Sequence, residues 1–115
     1  MHELGIANSV LTAVRTEMRR HPGAIPLKVG VRVGELAGVN PDALEFSFLS
    51  IISGTPWERL KLDIQTKTRE HRCSSCRATF PVIDYRVACP LCGSSQTECV
   101  SGDELEVAYL ELEES

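Results

Sequence analysis

Two groups of residues in this chain carry chemistry. The first is the pair of cysteine doublets "CSSC" at 73–76 and "CPLC" at 89–92, with twelve residues between them. Two thiolates on one tight turn, joined by a hairpin-length segment to a second such turn, supply four soft ligands able to converge tetrahedrally. That donor set suits Zn(II). Cys73, Cys76, Cys89 and Cys92 fill all four positions, so the ion expected there is structural. The intervening "RATFPVIDYRVA" sets Phe80, Val82, Tyr85 and Val87 among Pro81 and Asp84, as in a zinc ribbon. It has too few large apolar residues to fold unaided, and metal binding contributes roughly 10–16 kcal/mol in zinc-finger peptides.

The second group is "MHE" at the start of the chain. The α-amine of Met1, the backbone amide of His2 and the His2 imidazole form two fused chelate rings and lie in one plane. A planar set with a deprotonated amide suits Ni(II) or Cu(II) and suits tetrahedral Zn(II) badly. The affinity order favours copper, so these atoms do not by themselves choose nickel. The reference pKa values are about 8 for the amine and about 6.5 for the imidazole, so loading displaces protons and weakens as pH falls. Glu3 offers its amide, its carboxylate or a supporting hydrogen bond, and the fourth ligand is left open.

The remaining candidates have plainer readings. Cys99 reads as a small, partly buried thiol and His21 beside Pro22 as a helix terminus, while His71, two places before Cys73, reads first as a solvated residue and otherwise as a donor to the sulfurs or a replacement ligand. A redox use of the cysteine pairs would require a doublet opening a helix in a thioredoxin-like setting. Duplication on a short hairpin argues against it.

The elements that must position these groups follow from periodicity. Leu4, Ala7, Leu11, Val14 and Met18, widened by Val10, recur at helical spacing up to the His21-Pro22-Gly23 stop. "LKVGVRVGE" alternates Leu27, Val29, Val31 and Val33 against Lys28, Gly30, Arg32 and Gly34, a strand whose glycines admit another backbone. A second helix opens with Asn40 as N-cap and Pro41 at its first position, buries Leu44, Phe48, Ile51 and Ile52, and stops at Gly54. Two further strands run through Leu60, Leu62 and Ile64, and through Leu105, Val107 and Tyr109, where the phase slips to Leu110 and Leu112. The expected fold is α+β: two helices on a small three-stranded sheet, with an inserted zinc-ribbon module. The expected division is an α/β domain from 1–68 and 103–115, and a ribbon domain from 69–102.

At 115 residues the chain is long enough for one compact core. Its net charge of -4 is gathered at the end, where residues 103–115 hold six acidic side chains and no basic one. A body without a Lys/Arg stripe is a poor counterion-releasing surface, which argues against a nucleic-acid partner. The first twenty residues contain Glu3, Arg15, Glu17, Arg19 and Arg20 and no long apolar run, so neither export signal nor membrane span is expected and the protein reads as cytoplasmic.

In order and spacing, "MHELGIANSV", "VGELAGVNPDALEFSF", the doublets "CSSC" and "CPLCGS", and "SGDELEV" resemble the HypA/HybF family of hydrogenase nickel-incorporation proteins over nearly the full length. The resemblance implies a nickel metallochaperone, not an enzyme, with His2 as the nickel-anchoring residue and Glu3 as an acidic neighbour that tunes the site. It implies structural zinc on Cys73, Cys76, Cys89 and Cys92. It further implies a GTPase partner, delivery to the large-subunit precursor of a [NiFe]-hydrogenase, a link in some members to urease maturation, and a monomer or homodimer. The chain has no G-x-x-x-x-G-K-[ST] phosphate loop, so that GTPase is a separate protein. The competing class is a zinc-ribbon adaptor or nucleic-acid-binding protein with an inert N-terminus.

Overall fold

The computed structural model describes residues 3–114; the expectations placed on Met1 and His2 lie outside the described residues. The described elements fall into two compact units, one of residues 3–32, 39–65 and 106–114, the other of residues 33–38 and 66–105.

In the first unit, helix α1 (Glu3–Met18) buries Ile6, Ala7, Val10, Leu11 and Val14. The apolar stripe is rotated from the expected one. Leu4 is 48% exposed and Met18 half-buried, while Ile6 takes the inward place, because Ile6, Val10 and Val14 form the i, i+4, i+8 row. The helix ends where the His21 N–H meets the Met18 carbonyl, and Gly23 turns the chain at φ 83°. Strand β1 (Ile25–Gly34) follows. Its alternation buries Val29 and Val31, and Val33 beyond the unit's boundary, but Leu27 is exposed at the rim of an open groove with Ile25, Pro26 and Trp57.

Helix α2 (Pro41–Ile52) starts as its sequence demands. The Asn40 side-chain oxygen accepts the Ala43 N–H at 3.1 Å, and Pro41 occupies a position whose missing N–H costs nothing. Leu44, Phe48 and Ile52 are buried and Ile51 is half-buried. The helix packs against α1. Strands β2 (Lys61–Lys67) and, from the far end of the chain, β6 (Leu105–Glu113) flank β1 in the order β2-β1-β6. On the sheet's other face the Tyr109 ring lies over Gly30, where a Cβ would collide with it. The Tyr109 hydroxyl donates to Asp63, which pushes its own pKa up to about 12 and lowers that of the Asp63 carboxyl.

The second unit holds an antiparallel sheet in the order β4-β3-β5, from β3 (Glu70–Cys73), β4 (Thr79–Pro81) and β5 (Thr97–Ser101). Its core is small: Cys73, Phe80, Val82 and Cys89, flanked by Ala78 and Val87. The expected approach of a second backbone to a β1 glycine occurs at Gly34. A Cβ there would strike the Gly102 carbonyl, while the Gly34 N–H donates to the Glu104 carbonyl at 2.7 Å. Gly102 has φ 108°, a conformation that L side chains rarely adopt. Glu35, in a 3-10 turn over Glu35–Ala37, accepts the Arg69 N–H at 3.0 Å.

Candidate metal centre

The two cysteine doublets fold into the same turn twice. In the first, the Arg77 N–H donates to the Cys73 carbonyl at 2.9 Å and the Cys73 N–H to the Ala78 carbonyl at 2.9 Å. In the second, the Gly93 N–H donates to the Cys89 carbonyl at 2.9 Å and the Cys89 N–H to the Ser94 carbonyl at 2.9 Å. Each turn needs a left-handed residue directly after its second cysteine. Gly93 supplies it at φ 74°, whereas Arg77 adopts φ 64° despite its side chain.

This repetition brings the sulfurs together. The Sγ atoms of Cys73 and Cys92 are 3.5 Å apart, those of Cys76 and Cys89 3.6 Å, and all four lie within 4.8 Å of one another. A tetrahedron of Zn–S bonds of about 2.3 Å would space its sulfurs by about 3.8 Å, so the donor set and the spacing both fit zinc. A disulfide needs about 2.05 Å, and no cysteine here is paired in that way. Neither doublet opens a helix; both stand in turns, as a redox motif would not. Cys73 and Cys89 are buried and Cys76 and Cys92 exposed, so one edge of the cluster faces solvent. Among the described residues no other group of three or more His, Cys, Asp or Glu side chains converges this way.

The electrostatics divide along the same line. The backbone N–H of Cys76 points at the Cys73 sulfur and lowers its pKa to about 6, with the Ser75 N–H assisting. The Cys92 and Leu91 amides lower Cys89 in the same manner. For Cys92 the Ser94 amide is the largest single influence and acts downward, but Cys73, burial, Cys89 and Cys76 together push it up to about 12. Cys76 is likewise raised, the neighbouring Cys89 and Cys73 thiols and burial outweighing the Ala78 amide. Four sulfurs this close do not all carry negative charge without a cation among them.

His71 corrects its sequence reading. It is buried at 7% exposure in β3, not solvated, and its Nδ1 lies 3.0 Å from the Thr97 hydroxyl. That hydroxyl donates to the Val87 carbonyl at 2.6 Å, so the proton between the two side chains sits on Nδ1. His71 therefore braces β3 against β5 and the Val87 loop, outside the sulfur cluster. Nothing in its own sequence neighbourhood marks this, because Thr97 comes 26 positions later. Cys99, expected to be partly buried, is exposed, and its thiol donates to the Ser101 carbonyl. His21 is a helix terminus as read, and additionally lies 3.5 Å from Glu17 and 3.2 Å from Glu114.

Of the three N-terminal candidates, Glu3 alone falls within the described residues. Its Oε1 accepts the N–H of Asn40 at 3.3 Å, which ties the first residue of α1 to the N-cap of α2. A carboxylate at a helix N-terminus is also favoured by the helix dipole.

The family model described as "Hydrogenase/urease nickel incorporation, metallochaperone, hypA" matches residues 1–112. The chain belongs to the HypA family. It is 37% identical to the hydrogenase maturation factor HypA of Methylocella silvestris over 113 residues, covering 98% of this chain and 100% of that one. The HypA of Geobacter metallireducens is 38% identical with the same coverage. Two HypA solution structures share the fold. One, a nickel metallochaperone from Helicobacter pylori, has a TM-score of 0.67 at 20% identity over the whole of both chains. The other has 0.74 at 21%, covering 100% of this chain and 98% of that one. HypA membership thus places the chain in hydrogenase maturation and in metal handling, and none of its described helices is long and apolar enough to cross a membrane.

Proposed function

We propose that this protein carries Ni(II) on a shallow chelate at its N-terminus and passes it, with a separate GTPase, to the large-subunit precursor of a [NiFe]-hydrogenase. The observation that carries the reading is the family match running from residue 1 through the "MHELG" start. The amine of Met1, the amide and imidazole of His2 and a group of Glu3 supply the donors. The hydrogen bond from the Asn40 N–H to the Glu3 carboxylate supports the assignment, since it anchors that member of the chelate to the N-cap of α2 as well as to α1. A carrier needs few protein ligands at an exposed position, because its cargo must leave by ligand exchange. Nothing in this requires bond-making in a substrate, so the protein is a carrier and not an enzyme, and it acts in the cytoplasm. Maturation of urease is a second outlet that the family description supports.

Cys73, Cys76, Cys89 and Cys92 would hold zinc. When bound, that ion neutralises the thiolates and fixes the two turns against each other. The chain contributes the four sulfurs, the amides that direct them and the His71–Thr97 brace.

Nickel titration calorimetry on zinc-loaded protein with a verified free Met1 tests the proposal. His2→Ala, and separately an N-terminal extension that blocks the amine, should each abolish tight nickel binding and leave zinc content unchanged. Equal nickel affinity in all three proteins would remove the assignment.

A further inference from the structure

We propose that the free edge of β6 is a docking strand for an extended, positively charged segment of a partner protein. β6 closes the order β2-β1-β6, so one row of its backbone N–H and C=O groups is not used by the sheet. Its nine residues exceed the commonest strand length of about 5–6, a long edge for a protein to leave open. Beside it lies a groove of about 520 Å³, lined by Val14, Val29, Leu110 and Leu112, with Glu17 and His21 also on its walls. A strand added to β6 would send alternate side chains to the groove's side of the sheet. Leu110 and Leu112 are only half-buried, so apolar side chains arriving there would cover them.

Charge selects the occupant. Residues 106–114 contain Glu106, Glu111, Glu113 and Glu114 and no basic residue. Glu106 is paired with Arg32 at 3.2 Å and Glu114 with His21 at 3.2 Å, whereas Glu111 and Glu113 form no ion pair among the described residues. A second copy of the strand would bring glutamates against glutamates, which disfavours self-pairing. An incoming strand that alternates lysine or arginine with apolar residues meets both the acidic edge and the groove. The neighbouring His21 does not form a cation site with Glu17 and Glu114, because the two carboxylates face different ring nitrogens.

The test uses the full-length, zinc-loaded, isotope-labelled protein and a capped heptapeptide of alternating lysine and valine. Binding should shift the amides of β6 and of Ala13, Val14 and Glu17, and should slow exchange at alternate β6 amides. The double variant Glu111→Lys, Glu113→Lys, altered at two exposed positions, should keep the native spectrum and bind the peptide about tenfold more weakly. A glutamate–valine peptide should not bind. Equal binding of both peptides, shifts confined to other elements, or concentration-dependent dimerisation through β6 without peptide would each overturn the proposal.

Discussion

The two units of this protein differ sharply in how many apolar side chains they bury. The α/β unit buries Ile6, Val10, Leu11 and Val14 of α1, Val29 and Val31 of β1, and Leu44, Phe48 and Ile52 of α2. Apart from its two cysteines, the ribbon unit's core consists of Phe80 and Val82. Each fully buried large apolar side chain contributes about 1.5–3 kcal/mol, so burial stabilises the first unit several times more than the second. Cross-linking by an ion at the four sulfurs would fill the deficit. Under the proposed function this division is useful, because metal held for structure and metal held for transfer would then depend on different ligands.

The comparison breaks most visibly on metal removal. Chelation, or Cys89→Ala, should collapse amide dispersion for residues 66–105 while the α1 and α2 signals persist, since a structural zinc ion contributes about 10–16 kcal/mol in zinc-finger peptides. Unfolding of both units in a single step would contradict the division. The converse variant, Phe48→Ala, should destabilise the α/β unit by about 3–5 kcal/mol in chemical denaturation and leave zinc stoichiometry at one.

Acidity sharpens the same contrast. Cys73 is lowered to about 6, so near neutrality it has lost its proton, whereas the raised Cys76 and Cys92 keep theirs and Cys89, also lowered, lies between. Metal entry should therefore release at least two protons near neutrality, and apparent zinc affinity should drop at least about a hundredfold for each unit of pH lowered. Competition titrations at several pH values read the slope directly. Below about pH 6 it should steepen as Cys73 also takes up a proton.

The smallest effect separates the two turns of the ribbon. Relieving the left-handed strain by Arg77→Gly should raise ribbon stability by about 1 kcal/mol, and Gly93→Arg should lower it by a similar amount, both read as zinc retention against a chelator. Identical responses at the two positions would show that the turns are not equivalent in the way their hydrogen bonds indicate.

Much of this was legible from residue types. The cysteine doublets announced the cluster, because ligand spacing within a turn is local in sequence. Asn40-Pro41 announced the start of α2 for the same reason. What the sequence concealed depends on distant partners: burial of His71 is set by Thr97 and Val87, and the exposure of Leu27 by what the helices leave uncovered. The choice of Ile6 over Leu4 was ambiguous because both are apolar and one residue type cannot fix the rotation of a stripe. The strained Arg77 had no signal at all, as nothing about arginine predicts a positive φ.

Nickel K-edge X-ray absorption on the zinc-loaded, unmodified protein tests the separation of cargo from scaffold most directly. Nitrogen and oxygen donors in a planar arrangement, with no sulfur scattering and with the signature lost in His2→Ala, are the predicted result. Sulfur in the nickel shell, or a spectrum indifferent to His2, would contradict it.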